Sequence, residues 1–403
     1  MVKLTAKFSF MEEWKKYIVG NICSITSSKR IFANEYQSSG IPFFRGKEII
    51  EKQKGKNIST ELYISESKYN QIKSKFGVPK EGDMLLTAVG TLGIPYIVKD
   101  ETFYFKDGNL TWFSDFKNIN SKYLYYWFLS PIAKNAIDTI AIGSTQKALT
   151  IDALSKIEIS IPSINTQNKI VSILSSLDSK IELNRRINDN LEQQAQLLFD
   201  DLMAFSDWSQ TQPLCELSDI NPTRKLLKGE KASFVEMANM PTSGSFPAKI
   251  DFKEYNGGMK FKNGDTIMAR ITPCLENGKA AYVNFLQGGE IGFGSTEYIV
   301  LSPKETISSS FLYFLVRNKE FVDYAVKNMN GSSGRQRVSG ETIGNYQLPI
   351  LDRNKLNIFI KVANSVLSKI RQNSFENINL TTQRDLLLPK LMSGELKIND
   401  LNC

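Results

Sequence analysis

From Asn165 to about Ala204 no proline interrupts the chain, and apolar residues recur at heptad-like spacing. That pattern commits the stretch to one long helix with an apolar seam. It returns 189 residues later, and its end is spelled almost the same way: LLFDDLM at 197–203 and LLLPKLM at 386–392. One seam row reads Ile170, Leu177, Asn184, Leu191, Leu198, and the other Leu174, Ile181, Asn188, Ala195, Leu202. Their counterparts are Phe359, Val366, Asn373, Leu380, Leu387 and Ala363, Ile370, Asn377, Arg384, Leu391. Each seam therefore carries two asparagines at equivalent places. A seam Asn lowers stability but fixes register, because a slipped pairing would bury an amide without a partner. A polar gap where two helices diverge would use it equally well. On either reading the helices are built to pair. The residues expected to pair them or dock a partner are Leu177, Ile181, Asn184, Asn188, Leu191 and Leu198 on the first. On the second they are Val366, Ile370, Asn373, Asn377, Leu380 and Leu387.

Two helices of about 38 residues each run roughly 57 Å at 1.5 Å per residue. With a globular block inserted between them, antiparallel pairing is the natural arrangement, which relates the blocks by a pseudo-two-fold axis. Pro389 stands where Asp200 stands in the first copy. The second helix is therefore expected to end or bend a few residues earlier than the first.

The blocks themselves are also duplicated. GDMLLTAVG (82–90) and IPYIVKD (94–100) read as strands, and NGDTIMARITP with GKAAYV (278–283) repeats them. Asp107-Gly108 between aromatic runs predicts a hairpin turn. YLYYWFL (123–129), matched by FLYFLVR, predicts a buried helix whose aromatics serve the core rather than a base-stacking platform. GSTQKALT (143–150) is matched by GSSGRQRVS (331–339). Repeats of this length are duplicated domains rather than solenoid units. The expected architecture is mixed α/β in four segments: a first domain over 1–164, a spacer helix over 165–205, a second domain over 206–350, and a distal helix with its tail over 351–403.

A chain of 403 residues with 41% hydrophobic and 23% charged residues is ordinary for a globular protein of two to three domains. No apolar run reaches the ~18 residues of a membrane span, and the start lacks a secretory core, so a cytosolic location is expected. Cys23, Cys215, Cys274 and Cys403 show no CxxC spacing and read as reduced thiols. The absence of histidine excludes His-based triads, HExxH zinc sites and HxE deaminase sites. No GxxxxGK[ST] loop occurs. Asn221-Pro222-Thr223 half resembles an amino-methyltransferase motif but reads as a turn. Gly292-Phe293-Gly294 reads as a turn or bulge.

The net charge is +8, which points to an acidic partner, nucleic acid first. Its distribution is uneven: +6 over 1–164, −2 over 165–205, +1 over 206–350 and +3 over 351–403. The second block is nearly neutral, so any DNA face it has must gather basic charge locally or borrow it from partners.

Several strings carry a family resemblance: IPFFRGKEI (41–49), GDTIMARITPCLENGKAAYV (264–283), GFGSTEYIVL (292–301), GSSGRQRVS (331–339) and RDLLLPKLMSGEL (384–396). In this order, and duplicated, the chain resembles the specificity subunits of type I restriction-modification systems over roughly residues 10 to 398. The resemblance implies two target-recognition domains, of mixed α/β structure, separated by two long antiparallel coiled-coil helices. It implies no catalysis and no cofactor on this chain. Expected partners are double-stranded DNA carrying a bipartite target, two adenine-methyltransferase subunits that use S-adenosylmethionine, and an ATP- and magnesium-dependent restriction and translocase subunit.

Arg reads guanine, Gln or Asn reads adenine, and Lys and hydroxyls hold phosphates. The candidates are therefore Arg335, Gln336 and Arg337 after the second glycine-serine segment, and Ser144, Thr145, Gln146 and Lys147 in the first. Arg45 and Lys47 after an early strand, and Arg270 and Lys279 around ITPCLENG, complete the set. The family carries the glycine-serine loop in domains that read different sequences, which favours phosphate or fold duties for part of it. Two other classes stay open on the residues alone. One is a carboxylate-metal nuclease or self-sufficient modification enzyme; the other is a coiled-coil scaffold that never touches DNA.

Overall fold

The computed structural model describes residues 14–53, 55, 58, 62–143, 147–332 and 334–396. The chain divides into two compact units, one of residues 1–179 with 380–403 and one of residues 180–379. Each unit thus holds a recognition-type α/β domain and a part of both long helices.

In the first unit, strand Met84–Thr87 lies inside a four-stranded sheet ordered Ser24–Thr26, Leu110–Ser114, Met84–Thr87, Pro95–Ile97. It is buried on both faces, and alternate side chains serve different cores, as the two-residue period of a strand requires. Met84 and Leu86 join a cluster with Phe113 and the helix Ser121–Leu129, while Leu85 joins Phe44, Tyr96 and Phe105. A three-stranded sheet of Tyr63–Ile64, Ile41–Phe44 and Tyr104–Phe105 covers that second core, its last pair running parallel. Strand Lys15–Ile18 pairs antiparallel with Glu158–Ile161, directly before the first long helix.

The second unit repeats this plan. Its four-stranded sheet is ordered Ser218–Ile220, Tyr298–Pro303, Thr266–Ala269, Ala280–Tyr282. Ile299 and Leu301 turn to one core and Tyr298 and Val300 to the other. The second sheet again contains a parallel pair, Lys231–Val235 with Gly292–Gly294, and Asp207–Pro213 pairs antiparallel with Gln347–Ile350. The duplication reaches single hydrogen bonds. The Asp83 and Asp265 carboxylates accept from the amides of Lys80 and Lys262 at 2.9 and 2.7 Å, closing the same turn. Thr150 and Ser339 cap the short helices that follow the two glycine-serine loops.

The long helices span Ile164–Ala204 and Arg353–Ser393, 41 residues each, or about 60 Å. Inside the second unit they run antiparallel: Asn184 meets Asn377 and Asn188 meets Asn373, the numbering rising on one helix as it falls on the other. Inside the first unit Arg384 meets Asp178 in the same sense, and Leu388, Leu391 and Met392 pack with Ile170, Val171 and Leu174.

Four sequence expectations change. Leu198 is 45% exposed and Phe199 fully buried, and within the Leu386–Leu388 run of the second copy it is Leu388, not Leu387, that is buried. At 3.6 residues per turn a straight helix drifts ~20° per heptad, so the buried line moves in steps of eleven, from Asn188 to Phe199 and from Asn377 to Leu388. Pro389 does not shorten the second helix, which runs on to Ser393, the counterpart of Ala204. Buried neighbours on both sides of the proline hold that turn in place. Asp107-Gly108 is a turn, but no hairpin: Tyr104–Phe105 and Leu110–Ser114 leave it for different sheets. Gly292-Phe293-Gly294 is a buried strand. A Cβ on Gly294 would sit 2.4 Å from the Tyr298 ring and 2.7 Å from the Val235 carbonyl, so close sheet packing, not a turn, explains the glycine.

Candidate nucleic-acid interface

Both glycine-serine loops rest on one backbone frame. In the second domain Asn330 and Arg337 exchange two backbone hydrogen bonds of 2.9 Å, and Val338 N–H donates to the Arg270 carbonyl at 3.0 Å. In the first, Ile142 and Ala148 exchange bonds of 3.0 and 2.8 Å, and Leu149 N–H donates to the Ala88 carbonyl at 2.8 Å. Each loop is thereby pinned to the residue that follows a central sheet strand. Positive φ at Gly143 (102°), Gly331 (127°) and Gly334 (78°) shows why glycine is needed to turn the chain here.

Of the first loop's candidates, Ser144, Thr145 and Gln146 lie outside the described residues. Lys147 is exposed and, with Lys134, lines a cavity of about 680 Å³ that also takes in Thr91, Leu92 and Phe128. Arg45 is engaged by the fully buried Glu48, to which both its amide (2.8 Å) and its guanidinium (2.7 Å) donate. Burial raises the Glu48 carboxyl, but the Arg45 hydrogen bonds outweigh it and hold the group below the usual range. Lys47 is exposed, 3.9 Å from Glu51.

In the second domain Arg335 is exposed, and Gln336 accepts the Thr272 amide through its carbonyl at 3.1 Å. The Arg337 guanidinium grips Glu297 through Nε and Nη2 at 2.8 to 3.0 Å. Arg270 approaches the same carboxylate at 4.0 Å. The Arg337 hydrogen bonds, reinforced by the charges of both arginines, hold Glu297 below the ordinary carboxylate range. Lys279 Nζ donates to the Met237 carbonyl at 2.7 Å and anchors the ITPCLENG loop to a neighbouring turn. The structure therefore brings Arg270 and Arg337 together and leaves Arg45 and Lys47 in a separate place on the other unit.

Two groups were invisible to the sequence reading. Glu297 is 40 residues from Arg337, and only the strand register makes them neighbours. Arg317 is the other: its guanidinium donates to the carbonyls of Thr242, Gly278 and Ala280 at 2.8, 2.6 and 2.8 Å, tying two loop segments to the end of its own helix. Its place at the end of the buried helix Ser309–Arg317 was the available signal. No helix among the described residues is long and apolar enough to cross a membrane.

Two copies of one α/β domain, each pinned by the same loop frame and joined in sequence to a copy of one long helix, define a tandem-domain protein of mixed α/β class. The profile of the type I restriction modification DNA specificity domain matches it twice, over residues 11–193 and 206–381. The chain belongs to that family and is a specificity subunit of the type I restriction-modification class, involved in DNA recognition. It is 23% identical to the HindI specificity subunit of Haemophilus influenzae, covering 96% of this chain and 100% of that one. It is 26% identical to the MjaIX specificity subunit of Methanocaldococcus jannaschii over 91% and 89% of the two chains. A putative type I specificity subunit of H. influenzae is 36% identical over 172 residues, only 42% of either chain. The crystal structure of the type I S subunit from M. genitalium superposes with a TM-score of 0.61 at 17% identity, covering 96% and 97%, and so shares the fold.

Proposed function

We propose that this chain is the non-catalytic reader of a two-part DNA target, each recognition domain taking one half-site. The observation that carries the reading is the repeated loop frame, which presents different side chains on the same backbone in the two domains. A shared frame with exchanged side chains is what two half-sites of different sequence require, since base edges are read by side chains and phosphates by almost any donor. The long helices act as the spacer between half-sites. They dock two adenine-methyltransferase subunits, which bring S-adenosylmethionine, and through them an ATP- and magnesium-dependent restriction subunit. Equivalent exposed leucines on the two copies, Leu197 (64% exposed) and Leu386 (62%), support docking of two identical partners.

The test is a genome-wide map of methylated adenines in a host with and without this chain, alongside its methyltransferase. Appearance of one bipartite methylated motif only when the chain is present supports the proposal. An unchanged map refutes it.

A further inference from the structure

The two domains part in a whole element as well as in side chains. In each, a strand antiparallel to one member of the parallel pair leads to the turn closed by Asp83 or Asp265. In the second domain residues 255–264 make that connection and add the strand Lys260–Phe261 to the sheet. In the first, residues 65–82 make it, and the helix Glu66–Phe76 stands in place of a fourth strand. This helix lies outside every string that carries the family resemblance. An element present in one copy only is free to follow one half-site, whereas a shared string must serve many.

The helix starts at Ser65, whose hydroxyl accepts the Lys68 amide at 3.1 Å. Its inner residues Tyr69 and Ile72 are buried with Phe43, Ile64 and Tyr104. Ser67, Asn70, Gln71 and Ser74, spaced i, i+3, i+4 and i+7, share the opposite face and are all exposed. Neither the Asn70 nor the Gln71 side-chain amide makes a hydrogen bond among the described residues. At about 100° per residue, Lys73 and Lys75 fall on the two flanks of that face. Both are exposed and pair with no carboxylate among the described residues. A merely solvated face interleaves both signs, yet residues 67–80 hold four lysines and no acid. Lysines in a last turn also suit the helix dipole, but the two amides have no such duty. Lys29 adds to the charge, its Nζ lying 4.5 Å from the centre of the Phe76 ring, which is 56% exposed. Amides along the middle and a cation on each side match the major groove, which is about 12 Å wide, admits an α-helix and is walled by phosphates. Asn and Gln meet the N6 and N7 of adenine there in bidentate fashion.

We propose that the helix Glu66–Phe76 is the groove-reading element of the first domain. Asn70 and Gln71 read adenine edges of its half-site, and Lys73 and Lys75 hold the phosphates on the two walls. The proposal rests on the DNA-recognition reading above and names the element that carries it in one domain. The second domain, with a strand in that place, reads its own half-site from other segments.

The experiment is methylated-adenine mapping with the full chain and its methyltransferase, comparing the parent with Asn70→Ala, Gln71→Ala and the double variant Lys73→Ala with Lys75→Ala. All four side chains are exposed, so no variant empties a core site. Each amide variant should relax the motif at an A·T pair of one half-site by about tenfold. The other half-site and the spacing should stay unchanged. The lysine variant should keep the motif while the DNA affinity of the assembled complex falls at every site, its salt slope reduced by about two. A motif left intact by both amide variants would overturn the proposal, as would relaxation in both half-sites together. A lysine variant with the parent's salt slope would take the helix out of the groove and overturn it as well. Failure of the DNA-recognition reading itself would look different: the parent chain would direct no motif at all.

Discussion

The side-chain amide of Asn184 donates to Asn377 Oδ1 at 2.9 Å across the helix seam, and that of Asn373 donates to Asn188 Oδ1 at 2.8 Å. Asn184 and Asn373 are each 1% exposed. The four seam asparagines thus answer one another as a polar ladder rather than marking a gap. Asn184 Nδ2 also donates to Glu376 Oε2 at 2.8 Å, which engages both of its N–H groups.

Asn184→Leu should therefore destabilise the chain by about 0.5–1.5 kcal/mol, the net worth of a lost hydrogen bond, since it takes the donor away from the half-buried Asn377 and Glu376 on the facing helix. Adding Asn377→Leu should recover much of that loss, because both partners are then apolar. Urea denaturation of the two single variants and the double variant measures the coupling. Additive losses would mean the ladder is no interacting unit.

Gly294→Ala should cost about 1–3 kcal/mol or more through overpacking against Tyr298 and the Val235 carbonyl. Gly288→Ala, whose new methyl meets nothing within 4 Å, is the matched control and should be near neutral. Equal melting temperatures for the two variants would contradict the packing account.

Glu192, on the first long helix, accepts a hydrogen bond from the Tyr313 hydroxyl, and its Oε2 is buried without a partner. Burial pushes its carboxyl above the ordinary range, with Arg317 and the Tyr313 hydrogen bond pulling back. The folded chain thus keeps this proton at a pH where the unfolded chain, titrating near 4.3, has lost it. Stability from the group is full below about pH 4.3 and is lost as pH rises through the folded value. Glu192→Gln removes that dependence. The melting temperature of the variant minus that of the parent should grow as pH is raised from the acid side toward neutrality. A difference that stays flat or shrinks would contradict the assignment.

Leu197→Lys combined with Leu386→Lys should leave folding unchanged, since both side chains are mostly in solvent, and should weaken capture of the methyltransferase. Size-exclusion chromatography of the mixed subunits reads this directly. Undiminished complex formation would move the docking site elsewhere.

The features set by local periodicity and turn chemistry were legible in the sequence: two long helices, the buried aromatic helix Ser121–Leu129, the strand Met84–Thr87, and the duplication itself. Those set by tertiary packing were not. Phe199 displaces Leu198 from the seam because helix pitch accumulates against the heptad, and Pro389 is tolerated because its neighbours are held by a core the sequence does not display. At the interface the sequence named Arg270 and Arg337 by residue type. It could not name Glu297, whose role follows from strand register across 40 residues, nor foresee that Arg45 is turned to the buried Glu48.

The most direct test of the account is to exchange residues 206–350 for the corresponding domain of another family member and map methylated adenines in the host. The account predicts that one half of the bipartite motif changes while the other half and the spacing between them stay as they were. A motif that survives the exchange intact, or one in which both halves change together, would contradict it.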